Sequence, residues 1–466
     1  MDNLPKDPAV LKQLLAIANN RIAHLEELLR LFNHKRFAPQ SESYSNQQLL
    51  FNEAEADVEA EARPVKPYLR SKPKRKPLPE SFPRIEKISE LSEEEKACTC
   101  GQTMKEMGEA VSEQIDIVPA KVQVIRHIRK KYACPCCDGS IKQAGMPKQA
   151  IPKSNASAGT LAFVAASKYC DGLPLHRQET ILKRLGVDLP RSTLASWMIK
   201  SGELVTPLIN MMKDTIIESK VVHIDETTLQ VLKEKGRKAT TKSYAWVMAR
   251  GSPEKPLVIF HYEPTRSSEV PIRLLSGFKG FLISDGYKGY DKIASSDGIT
   301  HCGCWDHARR RFFEAEKSSK SVVAAQGLSL IRELYLIERE FKDLSAIDKV
   351  QKRKTDSLAI IKKLKTYLDA NIDQITPSSL TGKALQYMAS EWSKLTRFLD
   401  NPDVPLSNAL AENAIRPFTI GRKNWLFSAS TNGAEASMNL YSLVETAKAN
   451  GLEPTITCDL SSLIFR

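Results

Sequence analysis

The chain has 466 residues, a hydrophobic fraction of 42% and a formal net charge of +13, with a pI of about 9.2; it is too long for one ordinary domain, apolar enough for real cores, and basic enough to favour a polyanionic partner, most commonly nucleic acid. No apolar run approaches the roughly 20 residues of a membrane span, and the opening MDNLPKDPAV lacks the basic-then-apolar layout of a signal peptide. A membrane partner is therefore excluded, and a cytoplasmic, nucleoid-associated location is expected.

Leu11, Leu15, Ala18, Ile22, Leu25, Leu29 and Phe32 recur at alternating spacings of four and three. That seam predicts a coiled coil over 1–37 and a homo-oligomer, with an intramolecular helix packed on a neighbouring domain as the alternative for a seam of only about three heptads. Residues 38–92 then shift from the acidic run Glu53 to Glu61 to the basic, proline-rich PVKPYLRSKPKRKPLP. Neither half can bury a core, so this stretch reads as a linker.

Cysteines cluster next, within 93–150, as CTCG (Cys98 to Gly101) and YACPCC (Tyr132 to Cys137). Two cysteine knuckles on a hairpin can offer four thiolates to a tetrahedral, structural Zn²⁺. Cys98, Cys100, Cys134 and Cys137 are the expected ligands, with Cys136 competing for the last place and free or redox-active thiols as the alternative. Between the knuckles, Ile115, Ile117, Val122, Val124, Ile125 and Ile128 read as β-rich.

Residues 155–205 have the layout of a helix-turn-helix: a helix from about His176 to Leu185, a turn over Gly186 to Pro190, and a second helix with Ser192 as its cap. Leu194, Trp197 and Met198 form its apolar side. Arg191, Thr193, Ser196 and Lys200 form the exposed side, suited to a DNA major groove. Any small helical hairpin can share this pattern.

From 215 to 318 the pattern changes to strands: VVHIDETTLQVL, SYAWVMARG and LVIFHYEP, a helix around Glu269 to Leu275, the strand FLISDG, a short helix near Tyr287 to Ile293, and a fifth strand at THCGCW. Three strands, helix, strand, helix, strand is the order of a ribonuclease H-like mixed sheet, in which the first strand is central and the fourth lies beside it. Asp225 and Asp285 then become neighbours. Residues 319–400 read as a helical insertion, and the core resumes over 401–454 with PLSNALAENAIRPF, a short helix stopped at Pro417, followed by a helix around Ala434 to Asn450. On the first of these, Asn408, Glu412 and Arg416 share a face. The expected fold is multidomain α+β, with this catalytic domain preceded by the coiled coil, the zinc segment and the helix-turn-helix.

A carboxylate inside an apolar strand costs several kcal/mol unless something offsets it. A lone Asp after a strand is usually a turn residue, but Asp225, Asp285 and Glu412 brought to one point would bind Mg²⁺ or Mn²⁺, which leaves room for phosphate oxygens and water. Two such ions roughly 4 Å apart can drive an in-line phosphoryl displacement. Glu226 points to the opposite sheet face and is a poor ligand. Cys302, Cys304 and His307 could make another metal site, although core packing is the favoured reading. Arg422 and Lys423 are placed at phosphates, and Trp425 in the core, with base stacking as the alternative.

HIDET, FLISDGYKGY, GCWDHARRRFFEA, AENAIRPF and GRKNWLFS followed by YSLVETAKANGLEP resemble the transposase of the Insertion Sequence 66 family, a bacterial DDE transposase. The similarity runs from the N-terminal zipper to about Pro454. It implies a ribonuclease H-like domain, Mg²⁺-dependent cleavage at terminal inverted repeats, strand transfer of the 3′ ends to target DNA, a zinc-binding segment, and small accessory proteins of the same element as partners. The family's catalytic acids fall on Asp225, Asp285 and Glu412, and its HARR motif on His307, Arg309 and Arg310, which the resemblance places at DNA or as braces of the site. Where relatives commonly show Asp-Asn-Asn, this chain has Ser407, Asn408 and Ala409, and the tail over 455–466 departs from the usual continuation, reading as a truncated or frameshifted end. The rival readings are a DNA-binding regulator or inactive remnant, and a ribonuclease H-like nuclease or resolvase.

Overall fold

Strand formation is densest where β-branched residues crowd, at Val221–Lys233, and this strand is the centre of the molecule's sheet. The computed structural model describes residues 7–37, 122–132, 142–145, 147–251, 254–455 and 457. The chain divides into two compact units, 63–144 and the remainder.

In the smaller unit, Lys131 and Tyr132 pair antiparallel with Gln143 and Lys142 in a two-residue ladder. The β-rich reading of its flank is corrected: residues 122–130 form no strand, and Val122, Val124, Ile125 and Ile128 stand exposed. β-branched composition supplies only propensity, and a strand needs a partner edge. Ile115, Ile117 and all four expected zinc ligands lie outside the described residues.

In the larger unit, the N-terminal helix Pro8–Phe37 runs unbroken for 30 residues. Asp7 Oδ1 accepts from Ala9 N at 2.9 Å, with proline at the first helical position. Its seam residues Leu11, Leu15, Ile22, Leu25 and Leu29 are exposed.

The sheet comprises β1 (Val221–Lys233), β2 (Lys242–Arg250), β3 (Leu257–Glu263), β4 (Gly280–Ile283), β5 (Ile299–Cys302) and β6 (Ser428–Ser430). Its order is β3-β2-β1-β4-β5, antiparallel through the first three strands and parallel through the rest, with β6 added in parallel at the far end of β1. This is the ribonuclease H-like arrangement. Gly280 opens β4 where any Cβ would collide with the Lys220 carbonyl, so the fourth strand can approach the first only with glycine there.

Two apolar cores flank the sheet. One joins Val222, Ile224, Trp246 and Phe260 to the helices Ala158–Tyr169, Arg191–Leu204 and Thr431–Ala449. The helix-turn-helix thus shares a core with the sheet. The other joins Ile283 and Cys302 to the helices Trp305–Ser319, Val322–Glu340, Leu358–Asn371 and Leu380–Ser390. Within the latter, Arg353 is 1% exposed at a π-turn and is held by Glu338 (2.7 Å) and by the Phe398 carbonyl (2.7 Å). A buried guanidinium requires such full pairing.

Two expectations are corrected by tertiary contacts. The second helix of the helix-turn-helix is not capped by Ser192, which lies inside it; Glu179 of the preceding helix Leu175–Arg184 accepts from Arg191 N at 3.1 Å. The helix bearing Glu412 does not stop at Pro417 but spans Ala409–Trp425. An interior proline costs about 3 kcal/mol, and burying Phe418 against Phe260, Trp425 and Tyr441 offsets that cost.

Candidate active site

β1 and β4 run in parallel register through Val221↔Phe281, Val222↔Leu282 and His223↔Ile283. Two residues further along each chain stand Asp225, still on β1, and Asp285, just past the end of β4. The shared register therefore sets the two acids level at the carboxyl end of the short strand.

Glu412 arrives from the first turn of the Ala409–Trp425 helix and is 3% exposed. Asn408 precedes that helix but does not cap it with its side chain. Instead its amide bridges to β1: Oδ1 pairs with His223 Nδ1 at 3.0 Å, and Nδ2 donates to the Ile224 carbonyl at 2.9 Å. Burial holds His223 down at about 4, so it is neutral at pH 7 and can donate from Nδ1. Ser407 bonds to buried Asp306, which also accepts from the Tyr335 hydroxyl. An aspartate at 407, as the resemblance leads one to expect, would set two carboxylates against each other here, and serine replaces that repulsion with a hydrogen bond.

Each acid has one oxygen tied to the protein. Asp225 Oδ1 accepts from Glu226 N at 2.8 Å, Asp285 Oδ1 from Tyr287 N at 3.0 Å, and Glu412 Oε2 from Arg310 at 2.9 Å. Glu412 Oε1 is buried without a hydrogen-bond partner. Burial pushes the Asp225 carboxyl well up, and the charges of Glu226, Glu412 and Asp285 push it further. Asp285 is raised by burial, against the Tyr287 N–H and the cations Arg266, Arg311 and Lys394. Burial also raises Glu412, with Arg310 opposing. Burial thus penalises the charged form of all three carboxylates, and added positive charge would relieve that penalty.

Glu226, adjacent in sequence, is bound on its own side by Arg266 and by the Tyr290 hydroxyl. Arg266 in turn stacks on Tyr287, 3.6 Å from the ring centroid. Sequence reasoning missed Arg266, Tyr290 and Arg311 as parts of the site, because no spacing links them to the acids.

Comparison with known proteins decides the family. A model described as "Transposase IS66 family" matches residues 153–436, one described as "zinc-finger binding domain of transposase IS66" matches 95–138, and one described as "Transposase C of IS166 homeodomain" matches 24–86. The chain belongs to the IS66 transposase family. It is similar to two uncharacterized proteins of Sinorhizobium fredii, y4qI (33% identical, covering 96% of this chain and 86% of the relative) and y4jD (32%, covering 81% and 76%). The IS66 transposase domain therefore contains the sheet and all three acids, while the zinc-finger match covers Cys98, Cys100, Cys134 and Cys137.

The residues singled out from the sequence for DNA contact fall into two groups in this IS66 domain. Arg191, Ser196, Lys200 and Lys423 are exposed, and Thr193 is half-buried. The others are turned inward. Arg309 is 6% exposed and presented to the interior by the helix Trp305–Ser319, in keeping with the bracing alternative and not with a surface place at DNA. Arg310 faces Glu412, Arg416 is half-buried, and Arg422 is tied to β1 at the Thr228 carbonyl. Trp425 is half-buried on Phe418, with Lys168 over its ring at 5.3 Å. Among the described residues no helix is long and apolar enough to cross a membrane.

Proposed function

We propose that this protein cleaves DNA at the terminal inverted repeats of an insertion element and joins the 3′ ends to target DNA, with Asp225, Asp285 and Glu412 as its metal-binding catalytic acids. The observation that carries the reading is the tethering pattern: three carboxylates from three separate elements, Glu412 buried and Asp225 and Asp285 half-buried, each have one oxygen fixed by the protein. An all-oxygen donor set with mutual repulsion and an unpartnered buried oxygen fits hard divalent cations, Mg²⁺ or Mn²⁺. When bound, such ions supply activation of a water or 3′-hydroxyl and charge stabilisation at the leaving oxygen.

The chain's own residues do the positioning. Arg310 fixes the rotamer of Glu412, the Asn408 amide seats the Glu412 helix on β1, and Arg266 with the Tyr290 hydroxyl holds Glu226, whose charge reaches Asp225 and Asp285. Exposed Arg191, Lys200 and Lys423 supply phosphate contacts, and Thr193 and Ser196 flank the first two on their helix. The exposed seam of the Pro8–Phe37 helix supports a homo-oligomer. The four cysteines covered by the zinc-finger match support a structural Zn²⁺, and small accessory proteins of the same element are further expected partners.

The test is incubation of purified protein with end-repeat DNA and Mg²⁺, scoring 3′ cleavage and joining separately. Both products are expected, and both should vanish in Asp225→Ala. Cleavage without joining would favour a nuclease or resolvase, and specific binding without nicking a DNA-binding regulator or inactive remnant.

A further inference from the structure

Beside the acids, three groups of softer chemistry meet. Cys304 stands immediately before the helix Trp305–Ser319, His307 lies in its first turn, and Glu412 faces them from the other helix. One donor atom from each lies within 4.8 Å of the other two, and this is the one such set of three among the described residues. His307 Nδ1 and Glu412 Oε1 are 3.4 Å apart. Both atoms are buried and neither makes a hydrogen bond, so they face each other without a proton suitably placed between them.

Donor atoms around a tetrahedral ion with bonds of about 2.0–2.3 Å stand roughly 3.3–3.7 Å apart, and the 3.4 Å separation matches such an edge. Cys304 is fully buried, and its sulfur accepts from Asn408 N at 3.2 Å and from the His307 backbone N–H, two donors that would also stabilise a thiolate. Sulfur, imidazole nitrogen and one carboxylate oxygen form a borderline-soft set that suits zinc and disfavours Mg²⁺. Cys302, expected to share the fate of Cys304, does not join the set; it packs in the second apolar core with its sulfur near the Thr300 carbonyl. Both cysteines are buried, and Cys304 is the one whose sulfur meets the set.

We propose that Cys304 Sγ, His307 Nδ1 and Glu412 Oε1 bind one zinc-class divalent cation, and that filling this site withdraws Glu412 from the hard-cation site. Binding forms the metal–sulfur bond as the Cys304 thiol releases its proton to solvent. The resulting thiolate and carboxylate balance the ion's two charges, and Arg310, on the other Glu412 oxygen, and Arg311 are cations that oppose entry. Three protein ligands leave a fourth position open. The inhibitory consequence rests on the catalytic role proposed for Glu412; the binding itself does not.

The experiment uses the full chain and Zn²⁺ as the probe, with Co²⁺ as its spectroscopic substitute. Bound zinc per chain is measured after dialysis for the unsubstituted protein, Cys304→Ser, His307→Asn and the control Cys302→Ser, with circular dichroism as the check on folding. A loss of about one equivalent in the first two variants and none in the control is expected, with loss of the corresponding share of cobalt–thiolate absorption. Equal zinc in all four proteins overturns the site. Should Cys304→Ser not fold, His307→Asn decides by the same count. In a second arm, Zn²⁺ is titrated into Mg²⁺-supported cleavage, and Cys304→Ser should shift the inhibitory midpoint upward at least about tenfold. An unshifted midpoint with intact stoichiometry overturns the inhibitory consequence, whereas absence of Mg²⁺-supported cleavage in the unsubstituted protein counts against the catalytic reading and leaves the zinc count standing.

Discussion

Asn408 is fastened to His223 at 3.0 Å, and the same amide reaches the neighbouring Ile224 carbonyl at 2.9 Å. The helix that carries Glu412 therefore starts on the strand that carries Asp225. Asn408→Ala leaves two buried polar groups unpaired, at about 1–3 kcal/mol each. Urea unfolding should show that loss, and DNA cleavage should fall further than the folded fraction does. Unaltered stability would show that the bridge does not hold the helix.

Asp225 links stability to pH. Its carboxyl is raised in the folded protein, so the native state binds the proton more tightly than the unfolded chain. Stability is then lost as pH rises from the ordinary carboxylate range toward the raised value. In a chelator, thermal melts of Asp225→Asn should exceed those of the unsubstituted protein at pH 7 and converge with them near pH 4. Added Mg²⁺ should stabilise only the unsubstituted protein. An identical pH profile for the two proteins would contradict the crowding of the acids.

Arg310→Ala should leave Glu412 unrestrained. A displacement of about 1 Å at a reacting centre costs on the order of 100-fold in rate, so cleavage should fall by about that factor while binding of end DNA persists. Arg310→Lys should recover only part of the loss, because one ammonium cannot reproduce the planar fork. A cleavage rate within twofold of the unsubstituted protein would remove Arg310 from the positioning of Glu412.

Gly202→Ala sets helix propensity against packing. The gain from alanine in a helix is at most about 1 kcal/mol. A Cβ at 202 would stand 2.5 Å from Ala436 Cα in the C-terminal helix, and overpacking costs typically 1–3 kcal/mol. Net destabilisation is expected in a denaturant melt, since the obstacle is backbone and cannot rotate away.

Charge reversal at Arg191, Lys200 or Lys423 should weaken DNA binding and reduce the salt slope by about 0.9 for each phosphate that is no longer neutralised. Arg309→Gln should instead lower stability with the salt slope unchanged, because that guanidinium is buried. Fluorescence anisotropy across a salt series separates the two outcomes.

Features whose physics is local or periodic were legible along the chain. The seam from Leu11 to Phe32 predicts the long helix, the β-branched run Val221 to Val231 predicts the central strand, and the strand–helix order makes Asp225 and Asp285 neighbours once β1 and β4 pair. Glu412 was legible as a candidate acid on a helix face, and motif resemblance attached it to the site, because no periodicity could link it to a strand so distant in the chain.

Whatever depends on contacts between distant segments had to wait for the packed molecule. Packing carries the Glu412 helix through Pro417 because Phe418 has a core to enter. It replaces the expected cap of Ser192 with Glu179, turns Arg309 inward, and brings Cys304 and His307 to the same carboxylate that Arg310 holds. Propensity and spacing act over a few residues, whereas a carboxylate's partners are chosen by whichever side chains the packed elements bring within reach. The fate of Glu412 is set that way.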